Sequence, residues 1–131
     1  MKPAQTSGRI LAIHHVTLLV EDLARSLAFY VGTLGLVVNR DRPDMGFPGA
    51  WLDVGADQQI HLMRLPSPDP SAGRPEHGGR DRHFALRVDD LDAVLGRLEQ
   101  AGMRYARSRS GRPAAFCRDP DGNAIELIQA D

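Results

Sequence analysis

Apolar and polar residues alternate along the chain in short runs that predict two similar arrays of strands and helices. In the first array, residues 10–20 are rich in aliphatic and β-branched side chains and predict a strand. Asp22 then stands at a helix N-cap position, apolar residues follow at helical spacing, and Gly35 closes the helix. Three more strands are predicted, which gives this half the order βαβββ; they cover residues 36–41, 49–54 and 59–65.

The second half of the chain repeats this order. His83 opens a predicted strand, Asp90 stands at the cap of the next helix, and Gly102 ends that helix. Three more strands are predicted at residues 105–107, 114–118 and 124–129. Residues 15–27 and 83–95 align without a gap, and six of the thirteen aligned positions are identical, which favours a duplication.

Together the arrays predict an α+β fold in which two tandem βαβββ modules form a curved mixed β-sheet cup with the helices outside. Module one is predicted at residues 10–65 and module two at residues 81–131, within a single domain covering residues 10–131. Residues 66–80 contain four prolines and three glycines and are interpreted as a linker. Residues 1–9 are expected to be a flexible N-terminus.

Composition and charge narrow the class of protein. The chain has 131 residues, of which 42% are hydrophobic and 25% charged, as in an ordinary globular domain with its own core. Its net charge of −1 gives no electrostatic reason to expect nucleic acid or a membrane surface as a partner. The single cysteine, Cys117, excludes an internal disulfide and favours a reducing compartment. Since no secretory signal or membrane-spanning run is visible, a cytoplasmic location is expected.

Four polar residues on predicted strands are candidates for binding a metal ion. Alternation along the strands places His15, His61, His83 and Glu126 on the sheet face that the helices do not need. One pair lies in the first and last strands of module one, and the other pair lies at the equivalent places in module two. A strand histidine taken singly is more often structural, and a glutamate near the chain end is more often solvated. The joint placement favours a site, and three imidazoles with one carboxylate suit Zn²⁺, Ni²⁺, Co²⁺, Mn²⁺ or Fe²⁺.

The paired modules and the stretch HHVTLLVEDLARSLAFYVGTLGL resemble the vicinal oxygen chelate superfamily. This superfamily includes glyoxalase I, fosfomycin thiol transferases, methylmalonyl-CoA epimerase, extradiol dioxygenases and bleomycin-binding proteins. The stretches GAWLDVG…QIHLM and RPEHGGRDRH…SGRPAAFCRDPDGNAIEL are similar to its short glyoxalase I-like branch. The resemblance places the four metal-ligand positions of the family on His15, His61, His83 and Glu126. It also implies a homodimer whose sites each combine module one of one chain with module two of the other; a site within one chain is the alternative.

For function, the resemblance implies a metal-dependent lyase or isomerase similar to lactoylglutathione lyase. Such an enzyme would act on a small chelating substrate, such as a glutathione hemithioacetal, through an enediolate, with Glu126 as the catalytic acid and base. His61 stands where glyoxalase I usually has a glutamate, which removes one candidate base. A fosfomycin-type metallothiol transferase and an extradiol-type dioxygenase with two histidines and one carboxylate stay open as alternatives.

An anionic thiol carrier requires cationic partners. The candidates for substrate binding are Arg74, Arg80, Arg82 and Arg112, although exposed arginines in a linker are usually solvated. Trp51 either lines the pocket or fills the core.

Overall fold

The fold consists of two βαβββ modules, each with its own four-stranded sheet. A computed structural model describes residues 7–131, so residues 1–6 of the predicted flexible N-terminus lie outside the described part. The elements of module one are β1 (His15–Leu19), α1 (Leu23–Leu27), which continues as a π-helical turn (Ala28–Thr33), β2 (Val37–Asn39), β3 (Gly49–Val54) and β4 (Gln58–Met63). Those of module two are β5 (His83–Val88), α2 (Leu91–Gln100), β6 (Tyr105–Arg107), β7 (Ala114–Arg118) and β8 (Ala124–Gln129).

Both sheets have the same topology. The strand order is β1-β4-β3-β2 in module one and β5-β8-β7-β6 in module two. The first and last strands of each module pair in parallel, and the other neighbours are antiparallel. The predicted α+β fold with two tandem βαβββ modules is therefore confirmed.

The helices begin and end where the sequence predicts. The Asp22 carboxylate accepts a hydrogen bond from the backbone N–H of Arg25 at 3.1 Å, and the Asp90 carboxylate accepts one from Ala93 at 3.0 Å. Each bond satisfies a donor that the first helical turn leaves without a partner. Past the helices, Gly102 has a φ of +72°, a backbone conformation that favours glycine.

One hydrophobic core joins the two modules. Leu52 and Leu62 of module one and Leu98 of module two are fully buried in the same cluster. Tyr30, in the π-helical turn, is also fully buried, and its hydroxyl donates a 2.6 Å hydrogen bond to the carboxylate of Asp119 in module two. The helical layer of module one is thus attached to the turn between β7 and β8.

The first strand is shorter than predicted. It begins at His15 rather than at residue 10, because its register with β4 starts at the pair His15 and Gln59. Residues 7–14 have no strand pairing, and Ile10 and Leu11 are 96% and 83% exposed. Among the helices of residues 7–131, none combines the length and the apolar character that crossing a membrane requires.

The end of the predicted linker packs on module two. We call residues 74–82 the strap; a 3-10 turn (Gly78–Arg80) lies within it. Gly78 is buried so close to the sheet that a Cβ atom there would lie 3.2 Å from the Cβ of Phe116 and 3.4 Å from that of Ala124. His77 adds a hydrogen bond of 3.1 Å between its Nε2 and the carbonyl oxygen of Arg107. The strap therefore covers part of the module-two sheet.

Candidate metal centre

His15 and His61 lie together on the face of the module-one sheet that the helices leave uncovered. The strand register places His61 between Thr17 on β1 and Trp51 on β3, so these side chains share a face. The His61 ring stacks on the His15 ring, with centroids 3.9 Å apart, and on the Trp51 indole, at 4.7 Å. Trp51 therefore lines this face next to His61 and is only partly buried.

A hydrogen-bond chain fixes how His61 presents its nitrogens. The amide nitrogens of Asn39 and Gln59 both donate to Asp53 Oδ1, at 3.0 and 3.3 Å. The carbonyl oxygen of Gln59 consequently faces His61 Nε2, 2.8 Å away, and accepts its proton. Burial, with smaller contributions from His15, His14 and Arg42, lowers the pKa of His61 below its usual range. The ring is thus held neutral, with Nδ1 carrying the lone pair.

His15 has a different neighbour. Its Nδ1 lies 2.8 Å from Nδ1 of His14, so one of the two imidazoles must donate a proton to the other. When His15 is the donor, its Nε2 lone pair is free to bind a metal ion. His14, which is not one of the four predicted ligands, is thus in contact with one of them.

His83 and Glu126 form the corresponding pair in module two. Glu126 pairs in register with Ala85, two positions beyond His83, which puts both side chains on one face. His83 Nε2 lies 3.4 Å from Glu126 Oε1, and the Arg112 guanidinium lies 3.2 Å from Oε2. Glu126 is only 4% exposed, and Phe116 contacts the His83 ring edge-on, with centroids 5.0 Å apart. A buried carboxylate requires partners: Oε2 accepts a hydrogen bond from Arg112, and Oε1 faces the His83 ring.

The second nitrogen of His83 is also fixed. Its Nδ1 lies 2.9 Å from the backbone carbonyl oxygen of Asp81. Because a carbonyl oxygen only accepts, Nδ1 carries a proton, and Nε2 is the nitrogen that faces Glu126. Hydrogen bonds from Arg74 and Arg118 hold the pKa of the Asp81 carboxyl far below its usual range.

Within one chain the four predicted ligands form two pairs. Among residues 7–131, no three histidine, cysteine, aspartate or glutamate side chains converge closely enough to hold a metal ion. The chemistry of the donor set fits a first-row divalent ion, since three neutral imidazoles and one carboxylate are ligands that such ions accept. A single site with all four residues stays a prediction; the resemblance implies that module one of one chain would meet module two of another.

The four arginines predicted to bind substrate have different surroundings. Arg74 is bound to Asp81 with two nitrogen–oxygen distances of 2.7 Å, which uses the guanidinium inside the chain. Arg82 is exposed and pairs with Asp69 at 3.2 Å, and Arg80 is exposed in the 3-10 turn. Of these four side chains, Arg112 is the one that contacts a predicted metal ligand.

Two neighbours of the predicted ligands were missed in the sequence. Gln59 lies two positions before His61, so strand alternation alone could have placed it on the same face. Asp81 acts on His83 through its backbone carbonyl, and no sequence pattern signals such a contact. Cys117 is unsuited to nucleophilic chemistry, because burial, with the charge of Asp119, raises the pKa of its thiol to about 12.

A cavity of about 1010 Å³ lies between the edge strands of the two modules. Its walls include β1 from Val16 onward, the first part of the linker, and Arg82, His83 and Phe84. The predicted ligand His83 thus borders the cavity, whereas His15 and His61 are not among the residues that line it.

Duplicated βαβββ modules with polar strand faces define a class of α+β protein. The family model of the Glyoxalase/Bleomycin resistance protein/Dioxygenase superfamily matches residues 12–127, and the chain belongs to this superfamily. It is 32% identical to a lactoylglutathione lyase of Salmonella typhimurium over 88% of this chain and 90% of that protein. It is 28% identical to Glyoxylase I 4 of Arabidopsis thaliana over 93% of this chain and 72% of that protein. The structure of TnmS3, an antibiotic binding protein from Streptomyces sp. CB03234, is similar with a TM-score of 0.72 and 27% identity, covering 95% of this chain and all of that one.

Proposed function

We propose that this protein is a metal-dependent lyase of the glyoxalase I type, with active sites shared between two copies of the chain. The observation that carries the proposal is the pair of matching half-sites. His15 and His61 lie in contact in module one, and His83 and Glu126 lie in contact at the equivalent strands of module two. Each half-site alone has too few donors for a metal ion, whereas one of each gives a four-ligand set.

The relatives support the type of reaction. The lactoylglutathione lyase of Salmonella typhimurium matches this chain across nearly its whole length at 32% identity. A glutathione hemithioacetal is accordingly the substrate that we propose. The cytoplasmic location expected from the single cysteine would suit such a thiol, and it stays a prediction.

A bound divalent ion would polarise two neighbouring oxygens of the substrate as a Lewis acid. With His15, His61 and His83 neutral and Glu126 the one anionic ligand, a divalent site keeps a net positive charge, which favours anionic oxygens. Glu126 is the group that would take a proton from one carbon and return it to the next. Its contacts with His83 and Arg112 hold the carboxylate in one orientation.

The surroundings of the ligands suit a substrate with an anionic carrier. Arg112 is 59% exposed while it contacts Glu126, so its guanidinium lies at the surface next to the proposed centre. Arg82 is 69% exposed and is held only by an exposed ion pair with Asp69, which costs little to exchange for a substrate carboxylate. Trp51 offers an apolar ring beside His61.

A second candidate function follows from the stacking of the His61 ring between His15 and Trp51. If His61 keeps this place and stays off the metal, His15, His83 and Glu126 leave a set of two histidines and one carboxylate. Such a set is the one expected for a fosfomycin-type metallothiol transferase or an extradiol-type dioxygenase.

Assays on reconstituted protein separate these reactions. Metal-depleted protein is loaded in turn with Ni²⁺, Zn²⁺, Co²⁺, Mn²⁺ and Fe²⁺, and each form is tested with the methylglyoxal–glutathione hemithioacetal, fosfomycin plus thiol, and catechols. We expect turnover of the hemithioacetal. Turnover of catechol with Fe²⁺ alone, or of fosfomycin alone, would overturn the lyase proposal in favour of the second candidate.

Mixing two inactive variants tests whether sites are shared. His15→Ala and Glu126→Gln each remove a ligand from every site of a homodimer. In a mixed dimer with shared sites, one site receives both defects and the other is intact, so an equal mixture that exchanges freely recovers about a quarter of the wild-type sites. A mixture that regains no activity, although mass spectrometry shows mixed dimers, would place each site within one chain.

A further inference from the structure

The strap contains a buried ion cluster. The Asp81 carboxylate is 5% exposed and accepts hydrogen bonds of 2.7 Å from two arginines. Arg74 donates to both carboxylate oxygens, and Arg118 donates to Oδ2. The backbone N–H of Arg82 adds a bond of 2.8 Å to Oδ1. Both arginines are themselves mostly buried, with 19% and 26% of their side chains exposed. These three side chains form what we call the positioning cluster.

The positioning cluster joins segments that are distant in the sequence. Arg118 lies at the end of β7 and also donates to the carbonyl oxygens of Gly122, at 2.7 Å, and Pro75. Arg74 also donates to the carbonyl oxygen of Pro70, at 3.2 Å. The linker, the strap, β7 and the following turn are thereby held at one point, two residues before His83.

That point controls the hydrogen bond of His83. The carboxylate of Asp81 accepts hydrogen bonds from the two arginines. The backbone carbonyl oxygen of the same residue accepts a hydrogen bond of 2.9 Å from His83 Nδ1–H. A fixed acceptor at Nδ1 selects the tautomer whose Nε2 lone pair is free, and Nε2 is the nitrogen that faces Glu126 at 3.4 Å. An outer partner of this kind orients a histidine ligand and sets its affinity for a metal ion.

We propose that Arg74, Asp81 and Arg118 are positioning residues that hold His83 in the tautomer and orientation required for metal binding. The proposal rests on the proposed function in one respect, namely that His83 binds a metal ion. It assigns Arg74 to this cluster rather than to the substrate, because its guanidinium is used by Asp81. Within residues 7–131, no corresponding cluster holds His15; its Nδ1 meets His14 instead.

Asp81→Asn tests the proposal, with Asp69→Asn as the matched control. The control removes an aspartate that pairs with an exposed arginine of the same strap, Arg82 at 3.2 Å, and leaves the positioning cluster intact. Two readouts are used. Long-range ¹H–¹⁵N spectra of the metal-free protein report the tautomer of His83, and competition with a chelator reports the Kd for Co²⁺.

For the wild type and Asp69→Asn we expect the Nδ1–H tautomer of His83 and equal Co²⁺ affinity. For Asp81→Asn we expect a mixture of tautomers and a Kd for Co²⁺ raised about 10- to 100-fold. If Asp81→Asn does not fold, Arg118→Lys replaces it, because lysine keeps the charge but cannot bridge Asp81 and two carbonyl groups as the guanidinium does.

A folded variant of the cluster with the wild-type tautomer and the wild-type Co²⁺ affinity would overturn the proposal. A purely structural role would also leave both readouts unchanged in any variant that still folds. Failure of wild-type protein to bind Co²⁺ would instead overturn the proposed function, and the tautomer of His83 would still decide whether the cluster positions this ring.

Discussion

The two modules share one topology but cover their ligands differently. In module one, His15 is exposed and His61 is partly buried, on a face that no other segment covers among the described residues. In module two, Glu126 is 4% exposed, because the strap and Phe116 pack over the sheet around it. The two modules thus place the predicted ligands at equivalent strands, while the segments around them differ.

The difference in burial follows from the charge of the predicted ligands. A neutral imidazole can stand in water or against a ring at little cost, and the stack of His15, His61 and Trp51 does so. A buried carboxylate loses hydration and must regain it as ion pairs and hydrogen bonds. Module two supplies these through His83 and Arg112. We infer that the half-site with the proposed base is the more rigid one.

Replacing the Glu126 carboxylate is the change that should distinguish the roles of the two half-sites most strongly. Glu126→Gln keeps the shape of the side chain but removes its negative charge and its ability to take a proton. We expect kcat for the hemithioacetal to fall about 10²- to 10⁴-fold. The control is Glu76→Gln, which changes an exposed glutamate of the strap. Steady-state kinetics on the loaded protein measure both, and near-normal turnover by Glu126→Gln would exclude Glu126 as the base.

Tyr30→Phe tests how far module one depends on module two. It removes the 2.6 Å hydrogen bond from the Tyr30 hydroxyl to the buried Asp119. Asp119 keeps the hydrogen bond of 2.9 Å that it accepts from the side-chain amide of Asn123. The free energy of unfolding should therefore fall by about 1.5–3 kcal/mol without loss of the fold. Urea unfolding measures the change, and turnover per folded molecule should stay the same. An unchanged midpoint would mean that this contact does not hold the modules together.

Strand alternation was sufficient to predict the sheet face on which each predicted ligand lies, because a period of two residues is a local property of an extended chain. It placed His61 opposite Ile60 and Leu62, and these two are indeed buried under the helices. The predicted start of the first strand was wrong, because a strand extends only as far as the neighbouring strand with which it pairs. Nothing in residues 10–14 themselves shows that β4 pairs no further than His15.

The strap could not be predicted in the same way. Its anchoring needs Arg118 to meet Asp81 across 37 residues of sequence, and it needs Gly78 to lie against Phe116. Proline and glycine content predicted a linker but gave no information on what this segment contacts. Whether the four predicted ligands meet at one site is a question of tertiary and quaternary geometry, which strand alternation does not encode.

His61→Glu makes the module-one half-site resemble the other. The substitution restores the residue type expected at this position in glyoxalase I and adds a second carboxylate next to the substrate. If the lyase proposal is correct, kcat should rise about tenfold, less than the full 10²- to 10⁴-fold of general-base assistance, because Glu126 already supplies a base. His61→Gln, which is polar but cannot act as a base, should give no gain. Equal rates for the two variants would show that module two alone sets the proton transfer.

Gly78→Ala alters the strap without touching a ligand. The new Cβ would lie 3.2 Å from the Cβ of Phe116, tighter than ordinary contact, and should push the strap off the sheet. We expect the free energy of unfolding to fall by about 1 kcal/mol. Gly96→Ala is the matched control, since this glycine lies within α2 with no atom within 4 Å of an added Cβ. The control should stabilise the protein by about 0.5–1 kcal/mol, because alanine is the better helix former. Opposite shifts in urea unfolding would locate the strap against the sheet, whereas two stabilised variants would mean that module two is as open in solution as module one.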